Sequence, residues 1–244
     1  MNKLSLLSFL FLFFVFQLSG QRTRKDYIAD SERFSAGFLI GLNAAQIDGD
    51  QFTGFDKRGI TGGLRGIVRF TPRLDFNIEF LYSKKGSNIP LSPFVNQNNP
   101  LNHREIDLTY MDVPFFFKFM LKPKPSFWHI ELGAVYSRMI QSEITEFISD
   151  PTRQFAYSSI VDEFKKSDFS ALTGLGYTWK NGLSLNLRYT ISINKFYVNE
   201  NYVPRPPSSP AIPALEFLRN YFYSLSFSYT VFKRSSQKGK RRRP

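Results

Sequence analysis

From Tyr221 to Phe232 large apolar residues recur at every second position: Tyr221, Tyr223, Leu225, Phe227, Tyr229 and Val231. Ser224, Ser226, Ser228 and Thr230 occupy most of the positions between. Leu183 to Asn194 repeats the pattern, with Leu183, Leu185, Leu187, Tyr189, Ile191 and Ile193 against Ser184, Asn186, Arg188, Thr190, Ser192 and Asn194. Side chains alternate across a strand, so each segment has one apolar and one hydrophilic face. Strands of about 10 to 12 residues cross a bilayer when tilted. The expected fold is an all-β, eight-stranded antiparallel up-and-down transmembrane β-barrel.

Alternation alone also fits a soluble barrel with an apolar interior, and the polar face separates the two. A water-facing surface is rich in Lys and Glu. Here the polar face carries Ser170, Gly174, Gly176, Ser184, Asn186, Ser224, Ser226 and Ser228, small residues that suit a narrow lumen. The apolar face therefore belongs in lipid.

Residues 1–20 read as a signal peptide: Lys3, an apolar run from Leu4 to Leu18, then Ser19-Gly20. A short periplasmic segment (21–33), the barrel (34–232) and a basic periplasmic tail (233–244) follow. The chain has no Cys, so neither a lipid anchor nor disulfides are expected, and ring closure must hold the fold together. The net charge of +12 is concentrated at the ends. Lys233, Arg234, Lys238, Lys240, Arg241, Arg242 and Arg243 lie in the tail, with Arg22, Arg24 and Lys25 after the signal. The body is nearly neutral, which argues against a nucleic-acid partner. A tail of this kind fits anionic lipid, peptidoglycan or a protein partner in the periplasm.

Eight alternating segments are expected at about 34–46, 59–70, 73–85, 106–121, 127–141, 167–180, 183–197 and 219–232. Short turns at Thr71-Pro72-Arg73, Lys122–Ser126 and Lys180-Asn181-Gly182 alternate with longer connections. Outer-membrane barrels place short turns in the periplasm and long loops outside. Trp128 and Trp179, with Phe70 and Phe232, would mark the periplasmic interface, and Tyr82, Tyr136 and Tyr223 the outer one.

A three-residue turn at 71–73 sets Arg69 opposite Asp75 and Arg65 opposite Glu79 on one face of adjacent strands. The next hairpin sets Lys118 opposite Glu131. Opposite charges across strands stabilise the pairing, and an unpaired charge inside a barrel is costly. The expectation is a lumen filled by ion pairs, with His129, Asp112 and Arg188 as further members. Eight strands leave an interior just wide enough for side chains.

No nucleophile, cofactor motif or metal-ligand set is legible, so the reading is non-enzymatic. Asp48-Gly49-Asp50 does not continue as a calcium loop and reads as a polar turn. His103 and His129 lie on different segments. Gly62, Gly63 and Gly66 lack the strand-to-helix context of a phosphate loop. Pro204, Pro206, Pro207, Pro210 and Pro213 stiffen the last long loop, a candidate partner contact. The loop at about 142–166, with Phe147, Phe155, Tyr157 and Phe164, could fold over the mouth or touch another protein.

Several motifs add a family likeness. Residues 37–63 (GFLIGLNAAQIDGDQFTGFDKRGITGG), 79–86 (EFLYSKKG), 109–118 (TYMDVPFFFK) and Leu132-Gly133 resemble the PorT-type, porin-like outer-membrane β-barrels. The landmarks are Gly41-Leu42-Asn43 before Gly49-Asp50, Tyr82-Ser83-x-Lys85-Gly86, and Tyr110-x-x-x-Pro114. The resemblance implies an outer-membrane barrel exported through a cleaved signal peptide, in contact with outer-membrane lipid. Through the family's founding member it implies an accessory of type IX protein secretion, with envelope or secretion-system partners at the loops or tail. The alternative is a small channel for ions or solutes.

Overall fold

A computed structural model describes residues 33–50, 54–89, 101–122, 125–148, 157–200, 202 and 215–231. The expected signal peptide, the basic tail, Phe155 and the run from Pro204 to Pro213 lie outside the described residues. The strands are β1 (Phe34–Asp48), β2 (Lys57–Thr71), β3 (Leu74–Ile89), β4 (Leu101–Met120), β5 (Phe127–Ile148), β6 (Ser167–Thr178), β7 (Leu183–Ser192), β8 (Tyr197–Val198) and β9 (Phe217–Thr230). A 3-10 helix, Tyr157–Glu163, lies between β5 and β6.

All pairings are antiparallel, in the order β1 to β7 and then β9, and β1 also pairs with β9. Eight strands thus close into a ring, while the two-residue β8 adds to the end of β9. Closure satisfies the backbone groups that an open edge would strand in hydrocarbon. The pairings also fix the stagger. Stepping from Ala36 through Gly66, Ile78, Phe115, Ala134, Ala171, Ile191 and Tyr221 returns to β1 at Gln46, ten residues farther on. A shear of that size over eight strands gives a strand tilt of about 40°.

Burial alternates as the lipid-facing assignment requires. Leu64 is 67% exposed while its neighbour Arg65 is 3% exposed. The buried face carries Ser170, Ser184, Asn186, Ser224, Ser226 and Ser228. The turns are held by their own side chains: Thr71 Oγ1 accepts from Arg73 N–H, and Asn181 Oδ1 from Leu183 N–H.

Four strands differ from the expected bounds by more than two residues, β3 by running on to Ile89. β4 and β5 extend beyond the membrane to Leu101 and Ile148. There the pattern inverts: Ile106 and Leu108 point inward and are buried, while Asp107 faces Glu143 on the outer surface. A search for apolar-out alternation stops where that inversion begins. β7 ends at Ser192 instead of continuing to 197. Asn194 Oδ1 takes the Phe169 N–H at 2.6 Å and substitutes for the ladder, and the chain pairs again only at β8.

Candidate functional site

Among the described residues, the strands bring charged side chains together in the lumen. Parity along each strand decides which residues enter it, and the stagger decides their depth. Arg65 on β2 and Glu79 on β3 are register partners, and Arg65 Nε donates to Glu79 Oε1 at 2.6 Å. Lys118 on β4 faces Glu131 on β5, with 3.7 Å between Nζ and Oε1. Arg69 and Asp75 are register partners and both are buried.

Arg188 on β7 joins these hairpins. It reaches across the ring to Glu79 (Nη1 to Oε2, 2.7 Å) and to Glu131 (Nε to Oε2, 2.7 Å). Its guanidinium also lies 4.6 Å from the Phe116 ring centroid, and that of Arg65 lies 5.9 Å from it. Arg65 Nη1 donates to Ser228 Oγ, and Asn186 links Ser228 to His129. Glu79 and Glu131 are fully buried, and two guanidinium forks compensate their desolvation. Room for these long side chains comes from β6. A Cβ at Gly176 would lie 2.4 Å from His129 Nε2, and one at Gly174 3.0 Å from Arg188 Cγ.

A second barrier lies toward the outer mouth. Ile47 of β1, Ile106, Leu108 and Tyr110 of β4, Met139 of β5 and Leu218 of β9 pack with Tyr157 and Ile160 of the 3-10 helix. Strands β1 and β5 stand on opposite sides of the ring, so this apolar cluster spans the opening. Glu146 clamps the helix. It accepts from Ser158 N–H (3.0 Å), Ser158 Oγ (2.8 Å) and Arg104 Nε (3.0 Å), while the Arg104 guanidinium lies 3.5 Å from the Tyr157 ring centroid. Burial acts to raise the Glu146 pKa, but the bonds from Ser158 and Arg104 outweigh it and hold the carboxyl below its ordinary value of 4.5. Burial pushes the Tyr157 phenol up to about 12.

Between the barriers Lys85 Nζ pairs with Asp112 at 2.8 Å and lies 4.6 Å from the Tyr110 ring centroid and 4.5 Å from that of Phe222. The void there, lined by Thr61, Ser83, Asp112, Arg188 and Ser224 among others, measures about 20 Å³. That is room for roughly one water.

Of the residues singled out in the sequence, Arg65, Glu79, Lys118, Glu131, His129 and Arg188 meet in one network. Asp112 belongs to the Lys85 pair above it. Lys85, Arg104 and Glu146 escaped sequence reasoning, although parity from Glu79 places Lys85 inward and parity from Lys118 places Arg104 inward. Trp128, Tyr82 and Tyr223 are 54%, 39% and 43% exposed on the outer face. Trp128 and Trp179 both pack on Tyr177, at 5.1 and 5.2 Å between ring centroids. Tyr136 packs on Phe169. Of the third-loop aromatics, Tyr157 and Phe164 are buried in the cap, and Phe147 is 60% exposed. Asp50 is buried and bonded to Gln46 and Ser87, and Asp48 pairs with Arg219, so the Asp48–Asp50 turn is tied into the rim.

A closed ring of lipid-facing strands around a polar, filled lumen defines an integral barrel of the bacterial outer membrane. The chain belongs to the family described as outer membrane protein beta-barrel domain, whose model matches residues 19–198. No curated protein matches it. Among solved structures it is similar to Ail, the attachment invasion locus protein of Yersinia pestis, at 14% identity, covering 80% of this chain and 97% of that one with a TM-score of 0.41. It is also similar to Neisserial surface protein A (10% identity, 80% and 96% covered, TM-score 0.42). A third is OprG of Pseudomonas aeruginosa (9%, 82% and 95%, 0.41).

Proposed function

We propose that this barrel is a non-enzymatic envelope interaction protein that works through its outer surface, its lumen being closed. The observation that carries the reading is the pair of barriers in series, Arg188 with its two glutamates below and the Tyr157–Ile160 cap above. A barrel filled at two levels leaves its loops and outer sheet as the working surface. That surface is the extension of β4 and β5, which presents Phe147 and carboxylates to the outside. The exposed tryptophans and tyrosines at the two ends of the outer face support their assignment to the membrane interfaces. The likeness of residues 37–63 and 79–86 to PorT-type barrels is what supports a secretion-system partner, of type IX, while the β4 motif fits the broader family.

A photo-reactive amino acid at position 147 in the full-length protein tests this in cells. A discrete adduct with an envelope protein, lost when Glu143→Lys is added to the same chain, is expected. Absence of any adduct, with steady solute flux through the refolded barrel, would contradict the interaction reading. The small-channel reading would then replace it, with the lumen ion pairs as its gate.

A further inference from the structure

The stagger of the barrel brings to one level cations that are far apart in sequence. Ten residues of shear over eight strands make a line of constant height slip by about 1.25 residues per strand. The level that passes Arg58 on β2 therefore passes within about one residue of Lys84 on β3, Arg138 on β5 and Arg219 on β9, and Lys195 sits about two residues above it beyond the end of β7. Arg58, Lys84 and Arg138 are exposed on the lipid-facing side of their strands. The outward carboxylates Asp48, Asp56, Asp107, Glu143 and Glu216 all sit at least two residues farther from the membrane along their strands.

This level is the edge of the apolar band. Arg138 follows Trp128 by ten residues on β5, which at a 40° tilt is about 25 Å along the barrel axis. The lipid-facing band of such barrels is about 25 Å tall. Ile60 and Tyr82 lie one outward position toward the membrane from Arg58 and Lys84, and Tyr136 likewise from Arg138.

Two of the five cations already have partners. Arg219 pairs with Asp48 at 2.6 Å, and Lys195 lies 3.9 Å from Glu216 and 3.7 Å from the Phe217 ring centroid. Among the described residues Arg138 donates to a neutral hydroxyl, Ser167 Oγ, at 2.8 Å and forms no ion pair. Among the described residues neither Arg58 nor Lys84 forms an ion pair. Of the carboxylates on that side, Glu105 and Asp107 are both held by Lys57, and Asp56, two residues above Arg58, forms no ion pair with it among the described residues. Arg58 and Lys84 stand on adjacent strands, where Ile60 of β2 lies beside Lys84.

We infer that Arg58 and Lys84, with Arg138 as a second contact, bind the phosphate groups of an anionic glycolipid in the outer leaflet, a phosphorylated lipid A headgroup. Cations at headgroup height facing lipid have no other abundant counter-charge, and a forked guanidinium beside an ammonium suits a phosphate monoester. The cation level thus sets the depth of the barrel and attaches a shell of outer-leaflet lipid to the face below β2 and β3.

The test uses the full-length protein in phosphatidylcholine nanodiscs doped with diphosphoryl lipid A, with retained lipid counted by native mass spectrometry. The wild type should retain diphosphoryl lipid A over its dephosphorylated form and over phosphatidylglycerol. Arg58→Gln and Lys84→Gln should each weaken retention about fivefold, and Lys84→Arg should preserve it. The control pair Arg73→Gln and Lys180→Gln, on the short turns at the opposite rim, should leave it unchanged. Heat-modifiable gel mobility verifies that every variant is folded. Equal retention by the Arg58→Gln/Lys84→Gln double variant would overturn the proposal. So would equal retention of dephosphorylated lipid A or of phosphatidylglycerol, or an equal loss in the control pair.

Discussion

Arg188 is the single side chain on which the inner barrier depends. Removing one partner from a buried ion network leaves uncompensated charge and costs about 3–5 kcal/mol. Arg188→Ala leaves Glu79 with Arg65 alone and Glu131 with the more distant Lys118, so urea unfolding in lipid vesicles should show a loss within that range. Lys118→Ala removes a contact already stretched to 3.7 Å and should cost clearly less. Equal losses would mean that Glu131 draws as much from Lys118 as from Arg188. The Glu146 clamp has a pH signature. Its folded pKa is depressed below 4.5, so its stabilisation is present above that value and lost as pH falls through the lowered one. Protection factors at residues 157–163, taken relative to the intrinsic exchange rate at each pH, should therefore fall in acid, and Glu146→Gln should show low protection already at neutral pH. Acid-insensitive protection would assign the cap's stability to apolar packing alone.

Hairpins were the most legible elements, because their geometry is local. The three-residue turn at 71–73 fixes which residues of β2 and β3 face each other, and so places Arg65 opposite Glu79 without knowledge of the ring. Arg188 could be named as a lumen residue from parity. Its contact with Glu79 depends on closure and shear, which no single hairpin contains. The cap was hidden for another reason: beyond the membrane β4 and β5 turn their apolar side inward, against the alternation that revealed them. The glycines separate two element-level roles. Gly86, at φ +141° with the Ile106 carbonyl 1.8 Å from an added Cβ, lies where the hairpin leaves the membrane. Gly66 faces lipid, with its nearest neighbour at 3.4 Å. Gly86→Ala should destabilise the barrel by more than about 1 kcal/mol, and Gly66→Ala should be nearly neutral in the same unfolding assay. A costly Gly66→Ala would mean that the β2 outer face packs against something other than lipid.

At the scale of the whole molecule, the interior of the barrel is filled at two levels. Two barriers of different chemistry stand in series: ion pairs at the centre and an apolar cap at the mouth. Loss of either should leave the other closed. Single-channel conductance in planar bilayers tests this most directly, with wild type, Arg188→Ala, a cap variant (Tyr157→Ala with Ile160→Ser) and the combination compared after folding is verified. Silence is expected from the wild type and from each partial variant, and openings only when both barriers are removed. Steady openings from the wild type, or from Arg188→Ala alone, would contradict two barriers in series.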